Sequence, residues 1–126
     1  MSVMTNTYKV AVYYPDTGSC MSENINTEHE LKDLQRLVNG TIEHLHLDSI
    51  FDVDNVDIYV NEEGAIRHYP YAFNVDFYGC DTPLFGPVVF TRDSGDKLNN
   101  NELGNIMHGA NSTYMKMRDM GIINDC

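Results

Sequence analysis

The sequence predicts an α+β domain: an antiparallel or mixed sheet of about four to six strands with a central hairpin, covered on one side by a helix over about 27–38 and a C-terminal helix over about 100–120. Three observations predict it. Residues 57–69 (DIYVNEEGAIRHY) are two short alternating runs around Asn61-Glu62-Glu63-Gly64, which suits a three-residue turn closed by a left-handed glycine and a bulge. Apolar residues recur at helical spacing in 31–38 and in 103–117. Residues 8–14 (YKVAVYY) are nearly all β-formers and apolar on both faces apart from Lys9, as in a strand interior to a sheet.

Residues 1–7 are polar and expected to be loose. After strand 8–14, Pro15-Asp16-Thr17-Gly18 is a turn cluster, and 19–26 is a poorer strand or a connection. Thr27-Glu28-His29-Glu30 matches a capping box, from which Leu31, Leu34, Leu37 and Val38 step along one helix face to a left-handed stop at Asn39-Gly40. Residues 41–47 alternate with Ile42, His44 and His46 on one face and Glu43, Leu45 and Leu47 on the other, which leaves the inner face open. The acid-rich stretch 48–55 then reads as a loop anchored by Ile50, Phe51 and Val53.

In the hairpin that follows, Val60 should face Ile66 and Ile58 should face His68, with Asp57, Tyr59, Arg67 and Tyr69 together on the other side. Residues 70–80 fit either a strand, from the alternation of Tyr71, Phe73, Val75 and Phe77, or a short helix opened by Pro70. Pro87 marks 88–92 as an edge strand or a strand start. Asn99 and Glu102 cap the last helix, whose inward face is Leu103, Met107, Ala110, Tyr114 and Met117. Gly104 and Gly109 each cost that helix about 1 kcal/mol against alanine, so its first half depends on tertiary contacts.

A chain of 126 residues fits a single domain spanning 1–126. No apolar run reaches the length of about 20 residues that crosses a bilayer, and the N-terminus carries no secretory pattern, so a cytoplasmic location is expected. Cys20, Cys80 and Cys126 have no CxxC spacing and are expected as free thiols. Nineteen acidic residues against eight basic ones give a formal charge of −11, which disfavours nucleic acid and suits a basic protein partner. Between Arg36 and Arg67 there are Glu43, Asp48, Asp52, Asp54, Asp57, Glu62 and Glu63 and no Lys or Arg.

No catalytic constellation is readable, so neither an enzyme nor a cofactor is expected. Asp52, Asp54 and Glu63 fall on positions of a calcium loop, but Asp57 occupies the position that needs glycine. His44 and His46 are spaced to chelate zinc only if Cys80 or His108 comes near; satisfied or exposed histidines are the expectation, and no metal is expected to be required. Tyr59, Arg67, Tyr69 and Tyr71 form a candidate stacking platform for a small ligand such as a nucleotide.

Leu34-Gln35-x-x-Val38-x-Gly40-x-Ile42-Glu43, then Tyr59-x-Asn61-Glu62-Glu63-Gly64, then Gly86-Pro87-Val88-Val89, together resemble an uncharacterised family of small domains found in phages, plasmids and other mobile elements. Asn74 matches an asparagine usual after its hairpin, and Asn39-Gly40 stands where the family has two glycines. The likeness spans about 8–92 and implies a phage-type origin without implying catalytic residues. The expected function is therefore a non-enzymatic module inhibiting a basic host nucleic-acid-binding effector, of anti-CRISPR or anti-restriction type, inside the bacterial cell. Its partner surface would be Asp48, Asp52, Asp54, Asp57, Glu62 and Glu63. A small-ligand or nucleotide-signal binder, and a structural protein, stand as alternatives, with the oligomeric state, including a homodimer, left open.

Overall fold

The computed structural model describes residues 6–93 and 95–119, with 114–119 as backbone. Of the loose start expected for 1–7, residues 1–5 lie outside the described residues, as do the side chains of Tyr114 and Met117, and Cys126; Thr7 is not loose but begins the first strand. Strands β1 (Thr7–Tyr14), β2 (Ser19–Asn26), β3 (Ile42–Ile50), β4 (Val53–Asn61) and β7 (Val88–Thr91) form one antiparallel sheet in the order β2-β1-β7-β4-β3. Strands β5 (Tyr71–Phe77) and β6 (Cys80–Phe85) form a separate two-stranded sheet, and the helices are α1 (Glu30–Val38) and α2 (Asn100–Asp119). This is the expected α+β class.

The two helices lie on opposite faces of the sheet, because β1 has apolar side chains to bury both ways. Val10 and Val12 pack with Ile25, Val89 and the α1 residues Leu34, Leu37 and Val38. Ala11 and Tyr13 pack with Ile58, Phe90 and the α2 residues Leu103, Ile106 and Ala110, and with Phe73, Val75 and Leu84 from the small sheet. The expectation that both helices cover one side is thus corrected. Each fully buried aliphatic side chain contributes about 1.5–3 kcal/mol, so a two-faced strand is worth covering twice.

The central hairpin at 57–69 does not form. β4 ends at Asn61 and pairs with β3 and β7, not with 65–69. Asn61 accounts for the difference: its amide donates to the Val38 and Asn39 carbonyl oxygens at 3.0 and 3.2 Å, and its Oδ1 accepts from the Glu63 amide at 2.8 Å. Those bonds tie the end of β4 to the end of α1, and the chain then coils, with the Arg67 amide donating to Glu63 O at 2.8 Å. Ile66, expected inside, is 77% exposed. Gly64 is not left-handed; it is needed because a Cβ there would stand 2.6 Å from the Phe85 carbonyl oxygen.

Two other hairpins form instead. The stretch 48–55, expected as a loop, belongs to β3 and β4, joined by Phe51 and Asp52 at φ 52° and 63°. β5 and β6 are joined by Tyr78 and Gly79 at φ 51° and 79°. Two successive positive φ values match the twist of the flanking strands, which is why such short loops close hairpins. Residues 71–77 are thus a strand, and β7 is interior to the sheet, with Pro87 just before its start.

Asn39 takes the left-handed stop of α1 at φ 63° as expected. The capping box at Thr27 is replaced by an arrangement one residue earlier: the Asn26 side chain accepts from the Glu28 amide, and the Asn26 amide donates to Asp33 Oδ2 at 2.8 Å. Thr27 instead donates to Asn6 O, and Glu30 accepts from the Tyr8 hydroxyl. The helix therefore begins on a 3-10 turn, and Leu31, expected inward, is 57% exposed. The cap of α2 is as expected, with Asn99 and Glu102 exchanging bonds at 2.8 and 3.0 Å.

Candidate functional site

Alternation in β3 sends Leu45 and Leu47 into the core under α2 and the small sheet, and leaves His44 and His46 on the α1 face. The β3–β4 register sets His46 opposite Asp57 and His44 opposite Tyr59. Asp57 is 3% exposed, and its Oδ1 lies 2.7 Å from His44 Nε2 and 3.0 Å from His46 Nδ1. Its other oxygen accepts from the Asp93 backbone amide at 2.8 Å, in the connection after β7. The Tyr59 hydroxyl donates to the Asp93 carboxylate, and the His44 ring stacks on Tyr59 with centroids 5.0 Å apart.

Burial alone would raise the Asp57 pKa, but the Asp93 amide and then the two imidazoles outweigh it and hold the carboxyl below its ordinary value. Burial, followed by the bond to Asp93, pushes the Tyr59 hydroxyl well above the usual phenol range. Arg92 anchors this side of the domain: it donates to the Asp54 and Asn55 carbonyl oxygens at 2.6 and 3.0 Å and pairs with Glu102 at 2.7 Å. The start of β4, the end of β7 and the cap of α2 are thereby fastened around the cluster. His44, Asp57 and Asp93 bring one donor atom each to within 4.8 Å of one another, a set able to hold a metal ion. Cys80 and His108, the third ligands considered from sequence, are exposed on β6 and α2 and do not belong to it.

The remaining sequence candidates are dispersed. Asp48, Asp52 and Asp54 are exposed around the β3–β4 turn, whereas Asp57 is buried against its histidines. Glu62 and Glu63 are exposed beyond the other end of β4, about 30 Å along the strand from Asp52. There Glu62 accepts from Thr41 at 2.6 Å and Glu63 pairs with Arg67 at 3.1 Å. Two acids that the sequence reading passed over, Asp76 and Asp81, face each other across β5 and β6, and Asp76 shares a cleft with His46 and Asp48. With 70–80 left open between strand and helix, and β6 not recognised, the pairing of these two acids could not be read.

Nor do the four platform residues assemble as one group, although Arg67 and Tyr69 meet. Tyr59 joins the histidine cluster, Arg67 pairs with Glu63 on the surface, and Tyr71 stacks edge-on against Phe85. Tyr69 lines a cavity of about 470 Å³ with Tyr14, Arg36 and Asn39, between the end of α1 and the turns after β1 and β6. Burial and the bond to Glu23 raise the Tyr14 hydroxyl to about 12.

Fold and site together define a small α+β domain that carries a mixed histidine–carboxylate cluster on one sheet face. The chain belongs to the DUF3846 family, a domain of unknown function, whose family model matches residues 8–114. Comparison with curated proteins and with solved structures returned no match. Among the described residues, no helix is long and apolar enough to cross a membrane.

Proposed function

We propose that this domain is a non-enzymatic binding module that receives a basic protein partner on the pole formed by the tips of the β3-β4 and β5-β6 hairpins. The observation that carries this reading is charge placement: residues 42–61 and 71–91 contain no Lys or Arg, while Asp48, Asp52, Asp54, Asp76 and Asp81 are exposed there. The nearest cations in sequence, Arg67 and Arg92, are held by Glu63 and Glu102. A one-signed surface of this kind speeds encounter with an opposite charge and repels nucleic acid. The class of partner it favours is a nucleic-acid-binding protein with a basic groove. The mobile-element resemblance narrows that class to a host defence effector, which the domain would inhibit.

The test is affinity capture from bacterial lysate with the wild type and with a variant carrying Asn at those five positions, followed by association kinetics at varied salt on the captured protein. A basic-grooved partner should be captured, with association slowed and its salt dependence flattened in the variant. A partner indifferent to all five neutralisations would reject the reading. The 470 Å³ cavity beside Arg36, Tyr14 and Tyr69 favours a second reading, a small-ligand binder. A nucleotide-sized molecule released stoichiometrically from the denatured protein, and detected by mass spectrometry, would establish that one instead.

A further inference from the structure

We propose that His44, Asp57 and Asp93 form a binding site for a first-row divalent transition ion such as zinc or manganese, independent of the acidic pole. In a tetrahedral zinc shell with bonds of about 2.0–2.1 Å, neighbouring donor atoms stand about 3.3 Å apart. His44 Nε2 is 2.7 Å from Asp57 Oδ1 and 3.8 Å from Asp93 Oδ2, which straddles that spacing. One imidazole nitrogen with two carboxylate oxygens is the donor mixture of transition ions; the hard ions calcium and magnesium are held by oxygen alone.

The surroundings also match a metal site. His46 Nδ1 lies 3.0 Å from the same Asp57 oxygen, and Tyr59 donates to Asp93, so two of the three ligands are oriented by a further side chain. Asp57 is buried, and its only side-chain ion-pair partners among the described residues are the two histidines. A buried carboxylate gains from a cation placed beside it. An independent observation comes from β7. Thr91 pairs directly with Asp57 across the sheet and so projects to the same face; it is 1% exposed, and its hydroxyl has no hydrogen-bond partner among the described residues. Buried hydroxyls are rarely left so, and an ion with its coordinated water beside Asp57 supplies a partner. His44 and Asp93 are 45% and 38% exposed, so the ion has a path in and keeps a coordination position open to water.

The experiment uses untagged full-length protein, stripped with chelator and titrated calorimetrically with zinc chloride and manganese chloride. One ion per chain should bind, with the thermal midpoint raised by about 5 °C or more at saturation. Cobalt should give the visible absorption of a low-coordinate site. His44→Ala and Asp93→Asn alter exposed side chains, and each should weaken binding at least about tenfold. His46→Ala should weaken binding while preserving the shape of the cobalt spectrum, as expected of a positioning residue. Asp48→Asn with Asp76→Asn should change nothing. No stoichiometric binding with metal at about 0.1 mM, or binding indifferent to both His44→Ala and Asp93→Asn, would overturn the proposal. So would binding lost equally in the Asp48/Asp76 control.

Discussion

Phe51 occupies the space a side chain at position 109 would need: a Cβ built on Gly109 falls 2.3 Å from Phe51 Cδ1 and 2.8 Å from Phe51 Cβ. Phe51 is also set against Phe73 and Phe90, with ring centroids 6.3 and 6.2 Å away. Its positive φ of 52° is therefore held in place by packing under α2.

Opposite outcomes follow for the two helix glycines. Gly109→Ala should destabilise the domain by about 1–3 kcal/mol despite the better helix former, because neither the ring nor the helix can withdraw. Gly104 has no atom near its missing Cβ, so Gly104→Ala should stabilise by about 0.5–1 kcal/mol. Urea denaturation of both variants checks this; changes of the same sign would refute the contact.

Asn61→Ala removes two bonds to α1 and one to the following turn from a buried position. We expect a loss of about 2–3 kcal/mol, since the buried Val38 carbonyl loses a partner it cannot replace with water. Hydrogen exchange should rise in 62–69 before it rises in β1. Uniform protection across the chain would mean that Asn61 does not fasten the turn.

Acid should unfold the protein in a defined direction. The Asp57 carboxyl is lowered against burial by the Asp93 amide and the two histidines, and the Glu102 carboxyl by Arg92 and the Asn99 amide. A lowered folded pKa means that the unfolded chain binds protons more tightly. The contribution is complete above the unfolded values of about 3.9 and 4.3 and is lost as pH falls through the folded ones. Denaturation midpoints should thus drop as the pH falls below about 4. Glu102→Gln should shallow that drop; an identical acid limb would remove Glu102 from the account.

The thiols should differ in reactivity. Cys20 is buried, and burial pushes it up to about 12, so almost no thiolate forms at neutral pH. Cys80 is exposed. Peptide mapping after iodoacetamide should find Cys80 modified and Cys20 protected until denaturant is added; early labelling of Cys20 would contradict its place in the core.

Much of the fold was legible where the cause is local. Lys9 as the lone charged residue of β1, Asn39 as a left-handed stop and the Asn99–Glu102 cap all work through neighbours in the chain. The hairpin assigned to 57–69 failed where local and distant chemistry compete. Asn61-Glu62-Glu63-Gly64 is a good turn on its own terms, but the Asn61 side chain is drawn to the end of α1. Phe51-Asp52 is a poor turn locally and becomes one only because a distant glycine admits the ring. The cluster was half visible: His44 and His46 share a strand face by their spacing, whereas Asp57 and Asp93 join them only through the register of β4 and the path after β7.

The position of β7 bears on how the chain is made. It pairs with β1 on one side and β4 on the other, yet among the described residues it is the last strand to leave the ribosome. Until residues 88–91 emerge, the main sheet exists only as two separate hairpins, β1-β2 and β3-β4, whose inward edges present unpaired amides to any passing strand. The sheet closes in one late step from the middle, so a fragment ending before Val88 is two open half-sheets and not a smaller copy of the domain.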